Sequence, residues 1–160
     1  MQNRKERIER YGKGFQQLTE ALEQIPKEMW EFKPSPERWS IHEILIHIAD
    51  SEANAFIKCR KLIAQPGKAV NDYNQDIWSD ALNYRQQKIE DALELFKWLR
   101  YNTFTLIKEI PDKAWSNASG YGDGGTVTLD DWLEIYANHI PDHIKQMKKN
   151  YEEWQKQFPA

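Results

Sequence analysis

The stretch Thr128 to Trp154 reads TLDDWLEIYANHIPDHIKQMKKNYEEW, and its periodicity decides the fold. At about 100° per residue, Leu129, Trp132, Tyr136, Ile140, Met147 and Trp154 fall on one apolar arc, with Glu134, Lys145, Lys148 and Glu152 opposite. Thr128 and Asp131 have the spacing of a capping box that opens a helix. His139 and His143 lie inside the apolar arc, one turn apart, with Cβ atoms roughly 5–6 Å from each other. That spacing lets two imidazoles reach one metal ion. The competing reading is of two buried histidines satisfied by ordinary hydrogen bonds, and a third histidine decides how far the metal reading goes. Pro141 stands between the pair on the polar face. It removes the bond to the Ala137 carbonyl, and either bends the helix around the core or breaks it and spoils the pair.

Working outward, three more long amphipathic segments appear. Asn3 to Ile25 carries Ile8, Tyr11, Phe15, Leu18, Leu22 and Ile25 at three- and four-residue steps and reads as one helix, ended by Pro26. Ser40 and Glu43 form a capping box for a second helix that runs to Ile63 or Ala64, with the core stripe Ile41, Leu45, Ile48, Ala55, Phe56, Cys59 and Ile63. Tyr84 to Ile110 is the third long helix, with Ile89, Leu93, Phe96, Leu99, Thr103, Leu106 and Ile110 on one face. A short helix is expected near Gln75–Ala81, and a flexible glycine-rich loop from Asn117 to Thr126. No segment alternates with a two-residue period, so few or no strands are expected. The fold class is all-α, one four-helix-bundle domain over 1–160. The Ile-Pro-x-x-x-Trp turns at Ile25–Trp30 and Ile110–Trp115 form a faint repeat, which makes the second and fourth helices equivalent and brings them together.

Composition bounds the function. A net charge of −3 with scattered basic residues gives no reason to expect nucleic acid as a partner. The single cysteine, Cys59, lies on an apolar face and reads as core rather than nucleophile. The lack of disulfides, of a signal-type N-terminus and of a membrane-length apolar run suits a cytoplasmic protein with no membrane partner.

His47, on the second helix, supplies the third imidazole; His42 is rotated away and expected to face solvent. His47, His139 and His143 then leave coordination positions open for water or substrate, the arrangement of a catalytic site. Zn, Ni, Fe(II) or Co accepts such ligands. Glu52 falls within the second helix's apolar stripe. It reads as an acceptor behind the site, as a general base, or as half of a helix-to-helix ion pair. Asp50 is expected on the solvated side. Tyr136, one turn before His139, can point its hydroxyl at a metal-bound group, or it is core.

The run Trp39-Ser40-Ile41-His42-Glu43-Ile44-Leu45-Ile46-His47-Ile48-Ala49-Asp50-Ser51-Glu52, followed by Thr128-Leu129-Asp130-Asp131-Trp132 and His139-x-x-x-His143, resembles the DinB-like superfamily. The resemblance implies an up-down-down-up bundle, a homodimer, and a divalent metal, Zn or Ni, on His47, His139 and His143. It also implies thiol-dependent chemistry: S-transfer from a low-molecular-weight thiol of the bacillithiol type to a small-molecule electrophile. The alternatives are metal-dependent hydrolysis and a stress-linked bundle that holds a metal or small ligand without turnover.

Overall fold

The computed structural model describes residues 3–70, 73–121 and 124–159. Six α-helices are described: α1 (Arg4–Gly12), α2 (Gly14–Leu22), α3 (Ile41–Ala64), α4 (Gln75–Ala81), α5 (Ile89–Glu109) and α6 (Leu129–Gln157). A two-stranded ladder, β1 (Ala118–Gly120) and β2 (Thr126–Thr128), precedes α6. The pair α1–α2, together with α3, α5 and α6, makes the four rods of the bundle.

Side-chain pairs fix their directions. Arg4 and Arg7 at the start of α1 pair with Asp130 and Glu134 at the start of α6, so these two run parallel. Asn150 donates to the Trp39 carbonyl and Trp132 to the Ala55 carbonyl, so α3 and α6 run antiparallel. His42 meets Gln87, Glu52 meets Arg100 and Arg60 meets Thr103, so α3 and α5 run parallel. The bundle is therefore up-down-down-up.

Both capping boxes form, Ser40 with Glu43 on α3 and Thr128 with Asp131 on α6. Each Ile-Pro turn becomes a short 3₁₀ segment, Lys27–Met29 and Asp112–Ser116, ahead of a capped long helix.

Three segments differ from the reading of the sequence. The first helix is broken at Lys13 into α1 and α2 and stops at Leu22. Gly12 and Gly14 flank the break, and a Cβ on Gly12 would lie 2.5 Å from the Phe104 ring. The glycines let α5 approach closely, at a cost in helix propensity. Gly12→Ala gains roughly 1 kcal/mol of propensity but overpacks against Phe104 at about 1–3 kcal/mol. The net result expected in a urea titration is a lower midpoint; a higher midpoint would mean the ring moves aside freely. The third helix starts at Ile89, because Asn83 takes a left-handed conformation and Gln87 and Lys88 are extended. The glycine-rich stretch holds the β1–β2 ladder, with Ser119 opposite Val127. The chain after α3 lines its other edge, since Gly67 and Val70 donate to the Ala118 and Gly120 carbonyls at 2.8 and 3.1 Å.

The core divides in two. One apolar cluster gathers Leu18, Ile41, Leu45, Ile48, Phe96, Ile140 and Met147. The other gathers Tyr11, Ala55, Cys59, Ile107, Leu129, Trp132 and Leu133. Between them, at intervening positions on α3, α5 and α6, lie His47, Glu52, Arg100, Thr103 and His139. A polar layer thus crosses the middle of the bundle.

Candidate metal centre

α6 runs unbroken through Pro141, so the histidine pair survives the proline. The antiparallel packing of α6 on α3 brings His47 to the pair. Ring centroids are 5.5 Å apart for His47–His139, 5.0 Å for His47–His143 and 4.5 Å for His139–His143. One ring nitrogen from each lies within 4.8 Å of the others. His47 is buried, while His139 and His143 are partly exposed, so the cluster is reachable from outside.

The protonation states follow from the surroundings. Burial pushes His47 down to about 3, with the nearby His143 adding to the effect. Burial, then His143 and His47, holds His139 well below the ordinary histidine range, and burial also lowers His143. The imidazoles are neutral at pH 7, the form that binds metals. His143 Nδ1 lies 2.9 Å from Gln146 Oε1, an acceptor, so it donates there and leaves Nε2 with its lone pair. That Nε2 lies 3.0 Å from His139 Nε2. Nδ1 of His47 and of His139 is buried without a hydrogen-bond partner in the protein. An unpartnered buried nitrogen costs roughly 1–3 kcal/mol, which a bound cation or water offsets. A divalent cation fits the donor set, since three neutral imidazoles suit Zn or Ni.

The depressed histidines make the metal-free protein acid-labile. Unfolded chains take up these protons near the ordinary value of 6.5, while the folded chain resists until far lower pH. The unfolded state then binds more protons, and stability falls as pH drops below about 6.5. Urea melts in chelator between pH 7.5 and 5 should show a falling midpoint; a flat or rising one would contradict the neutral, buried cluster.

The neighbours of the three histidines complete the site. Trp39 packs on His47 with ring centroids 4.8 Å apart, and Tyr136 lies 5.8 Å from His139. Burial, and the charge of Glu52 behind it, push the Tyr136 phenol well above its ordinary value, so it stays protonated. Glu52 is fully buried with both oxygens engaged. The Tyr11 hydroxyl donates to one, and Arg100 Nη2 donates to the other at 2.6 Å. Arg100 also donates to the Tyr11 and Tyr136 carbonyls at 3.1 and 3.3 Å. One side chain of α5 therefore bonds to α1, α3 and α6, and on α6 it does so next to Ala137, whose carbonyl Pro141 leaves unpaired.

Two expectations are corrected. Asp50 is not merely solvated: Tyr84 donates to it at 2.6 Å. His42 is buried rather than facing solvent, with Nδ1 2.5 Å from Glu31 and Nε2 2.8 Å from the Gln87 carbonyl. Cys59 is core, and burial pushes its thiol up to about 12, which removes it as a nucleophile. The sequence reading passed over Arg100, although it occupies a step of the stripe Ile89, Leu93, Phe96, Arg100, Thr103, Ile107. It also passed over Gln146, one turn beyond His143. Trp39 carried no such signal, because a loop brings it to the site, and Tyr84, read as the start of the third helix, instead opens a 3₁₀ turn, Tyr84–Gln86.

A four-helix bundle with three convergent neutral histidines defines a class of helical metal-site proteins. The chain belongs to the DinB superfamily, whose family model matches residues 11–147. Three relatives provisionally named metal-dependent hydrolases are similar to it. That of Oceanobacillus iheyensis is 23% identical over 66% of this chain and 61% of its own length. That of Halalkalibacterium halodurans is 23% identical over 68% and 64%. YfiT of Bacillus subtilis is 22% identical over 66% and 60%. The match thus spans under two thirds of each of these relatives. Among solved structures, YfiT superposes with a TM-score of 0.86 at 18% identity, over 94% of this chain and 87% of that one. It is described as a probable metal-dependent hydrolase with an unusual four-helix bundle topology. A mycothiol-dependent maleylpyruvate isomerase superposes with a TM-score of 0.72 at 12% identity, covering 91% and 61%. Among the described residues no helix is long and apolar enough to cross a membrane.

Proposed function

We propose that this protein is a divalent-metal-dependent enzyme in which His47, His139 and His143 hold the metal. The observation that carries the reading is the cluster itself: three neutral imidazoles, one buried and two partly buried, with a ring nitrogen of each within 4.8 Å of the others and, among the described residues, no fourth His, Cys, Asp or Glu in the group. Such a set leaves a position open, where a bound metal lowers the pKa of a water or a thiol toward neutrality. The names of the relatives favour hydrolysis. A second reading, S-transfer from a bacillithiol-type thiol, is favoured by the fold shared with a mycothiol-dependent enzyme.

The chain's own residues divide the work. Tyr136, protonated and beside His139, donates a hydrogen bond to an oxygen developing charge or to a leaving group. Glu52 has both oxygens engaged; of its expected roles, we favour that of half of a helix-to-helix ion pair, with Arg100, over those of acceptor behind the site and general base. Trp39 walls the His47 side and excludes water.

The test is turnover by the Zn- or Ni-loaded chain on two panels, nitrophenyl esters and a low-molecular-weight thiol with a chromogenic electrophile. Activity in either panel should fall at least about 100-fold in His139→Ala, and Tyr136→Phe should lower kcat about 10–100-fold. A fully metal-loaded chain inert in both panels would contradict the enzymatic reading and leave a metal-binding bundle.

A further inference from the structure

The three imidazoles are not held alike. His143 Nδ1 has an acceptor in the chain, Gln146 Oε1 at 2.9 Å, one turn further along α6. His47 and His139 each hold a buried Nδ1 that no group of the protein meets. A neutral imidazole carries one ring proton, and the bond made by one nitrogen decides what the other can do. With Gln146 accepting, the His143 proton stays on Nδ1 and its Nε2 keeps a lone pair. The neighbouring acid, Asp142, is exposed and pairs with Lys145 at 2.8 Å.

That assignment fixes the next ring. His143 Nε2 lies 3.0 Å from His139 Nε2, so the hydrogen atom between them belongs to His139. The metal-free pair is therefore closed on itself. His139 donates from Nε2, and its Nδ1 carries a lone pair that no donor of the protein meets. The pair also stands close to ligand spacing, since two nitrogens 2.0–2.1 Å from a tetrahedral ion are about 3.3 Å apart. A cation entering there finds the His143 lone pair ready. His139 must pass its proton from Nε2 to Nδ1 through solvent, and no net proton is released.

We propose that Gln146 is a positioning residue of this centre: it presets His143 as the anchoring ligand and makes His139 the ring that changes tautomer when a cation binds. The inference rests on the metal reading above. An amide suits the position in a second way. Unlike a carboxylate, it holds the ring without placing negative charge behind the ligand, so a divalent ion keeps more of its power to polarise what it binds. Groups that hold a ligand histidine from behind are worth about 10–100-fold in metal affinity.

The test reads ring protons and Zn affinity rather than turnover. In the metal-free wild type, long-range proton–nitrogen spectra of the imidazoles should show His143 protonated on Nδ1 and His139 on Nε2. Zn should move the His139 proton to Nδ1 and leave that of His143 in place. Gln146→Met, similar in length but without the acceptor, should leave His143 a mixture of both tautomers. It should also weaken Zn binding about 10–100-fold in competition with a chelator. Gln146→Glu keeps the acceptor and should bind Zn at least as tightly as the wild type, a rescue that a merely structural role does not give. If Gln146→Met fails to fold, Gln146→Glu and the wild-type spectra carry the test. A wild type that takes up no Zn fails the metal reading alone, and its ring protons still decide the positioning. His143 protonated on Nε2 in the metal-free wild type, Zn affinity unmoved in folded Gln146→Met, or Zn binding lost in Gln146→Glu would overturn the proposal.

Discussion

Arg100→Ala is expected to cost about 3–5 kcal/mol, a large share of the roughly 5–15 kcal/mol that holds a domain together. The reason is the company the guanidinium keeps. It is 1% exposed, bonds to Glu52 at 2.6 Å and reaches the Tyr11 and Tyr136 carbonyls. Truncating it leaves a fully buried carboxylate with only the Tyr11 hydroxyl, and takes a second donor from two main-chain carbonyls. The account makes a sharper claim for the double variant Glu52→Gln with Arg100→Met. Removing both charges while keeping volume should be far milder than removing one, because an uncompensated buried charge, not the lost attraction, dominates the cost. Urea unfolding of the wild type, Arg100→Ala, the single variants Glu52→Gln and Arg100→Met, and the double variant checks this. Additive losses, or an Arg100→Ala cost below about 1 kcal/mol, would show that the pair is not the clamp described here.

The second large effect concerns the metal. Zn added to the wild-type chain should raise its melting temperature in a concentration-dependent way, since a ligand that binds only the folded state stabilises it by mass action, about 2.7 kcal/mol at a hundredfold excess over Kd. His139→Ala removes one of three ligands, and with it most of that shift. The same variant should lose less stability in chelator than in Zn, because without metal the deleted imidazole gives up only its ring packing and the Nε2 contact with His143, and its Nδ1 has no partner in the protein. The two halves together distinguish a metal site from a histidine that merely packs. A core histidine would give the same destabilisation in chelator as in Zn, with no metal-dependent difference.

The fold was largely legible because its signals are local. The capping boxes at Ser40 and Thr128 and the three- and four-residue apolar steps place α3 and the start of α6 to within a residue. The turns at Pro26 and Pro111 mark where two rods end. The histidine triad was legible for a related reason: two members share one helix face, and the repeat pairs that helix with the one bearing His47. What was hidden depends on packing across the bundle. The break at Lys13 follows from Phe104 pressing on Gly12, a contact between positions far apart in sequence. The ladder at Ala118–Thr128 forms on short strands too brief to show alternation, held by the chain after α3. Trp39 reaches the site from a loop, and Tyr84 reaches Asp50 from a 3₁₀ turn. His42 is drawn inside by Glu31 and the Gln87 carbonyl, neither of which the helix pattern predicts.

The measurement that bears most directly on the central claim is metal content per chain, by mass spectrometry, on protein purified without a histidine tag and incubated with Zn or Ni. The account predicts about one ion per chain in the wild type and loss of that ion in His139→Ala. A folded wild-type chain that retains no metal under these conditions would contradict it and reduce His47, His139 and His143 to part of the polar layer at the bundle's centre.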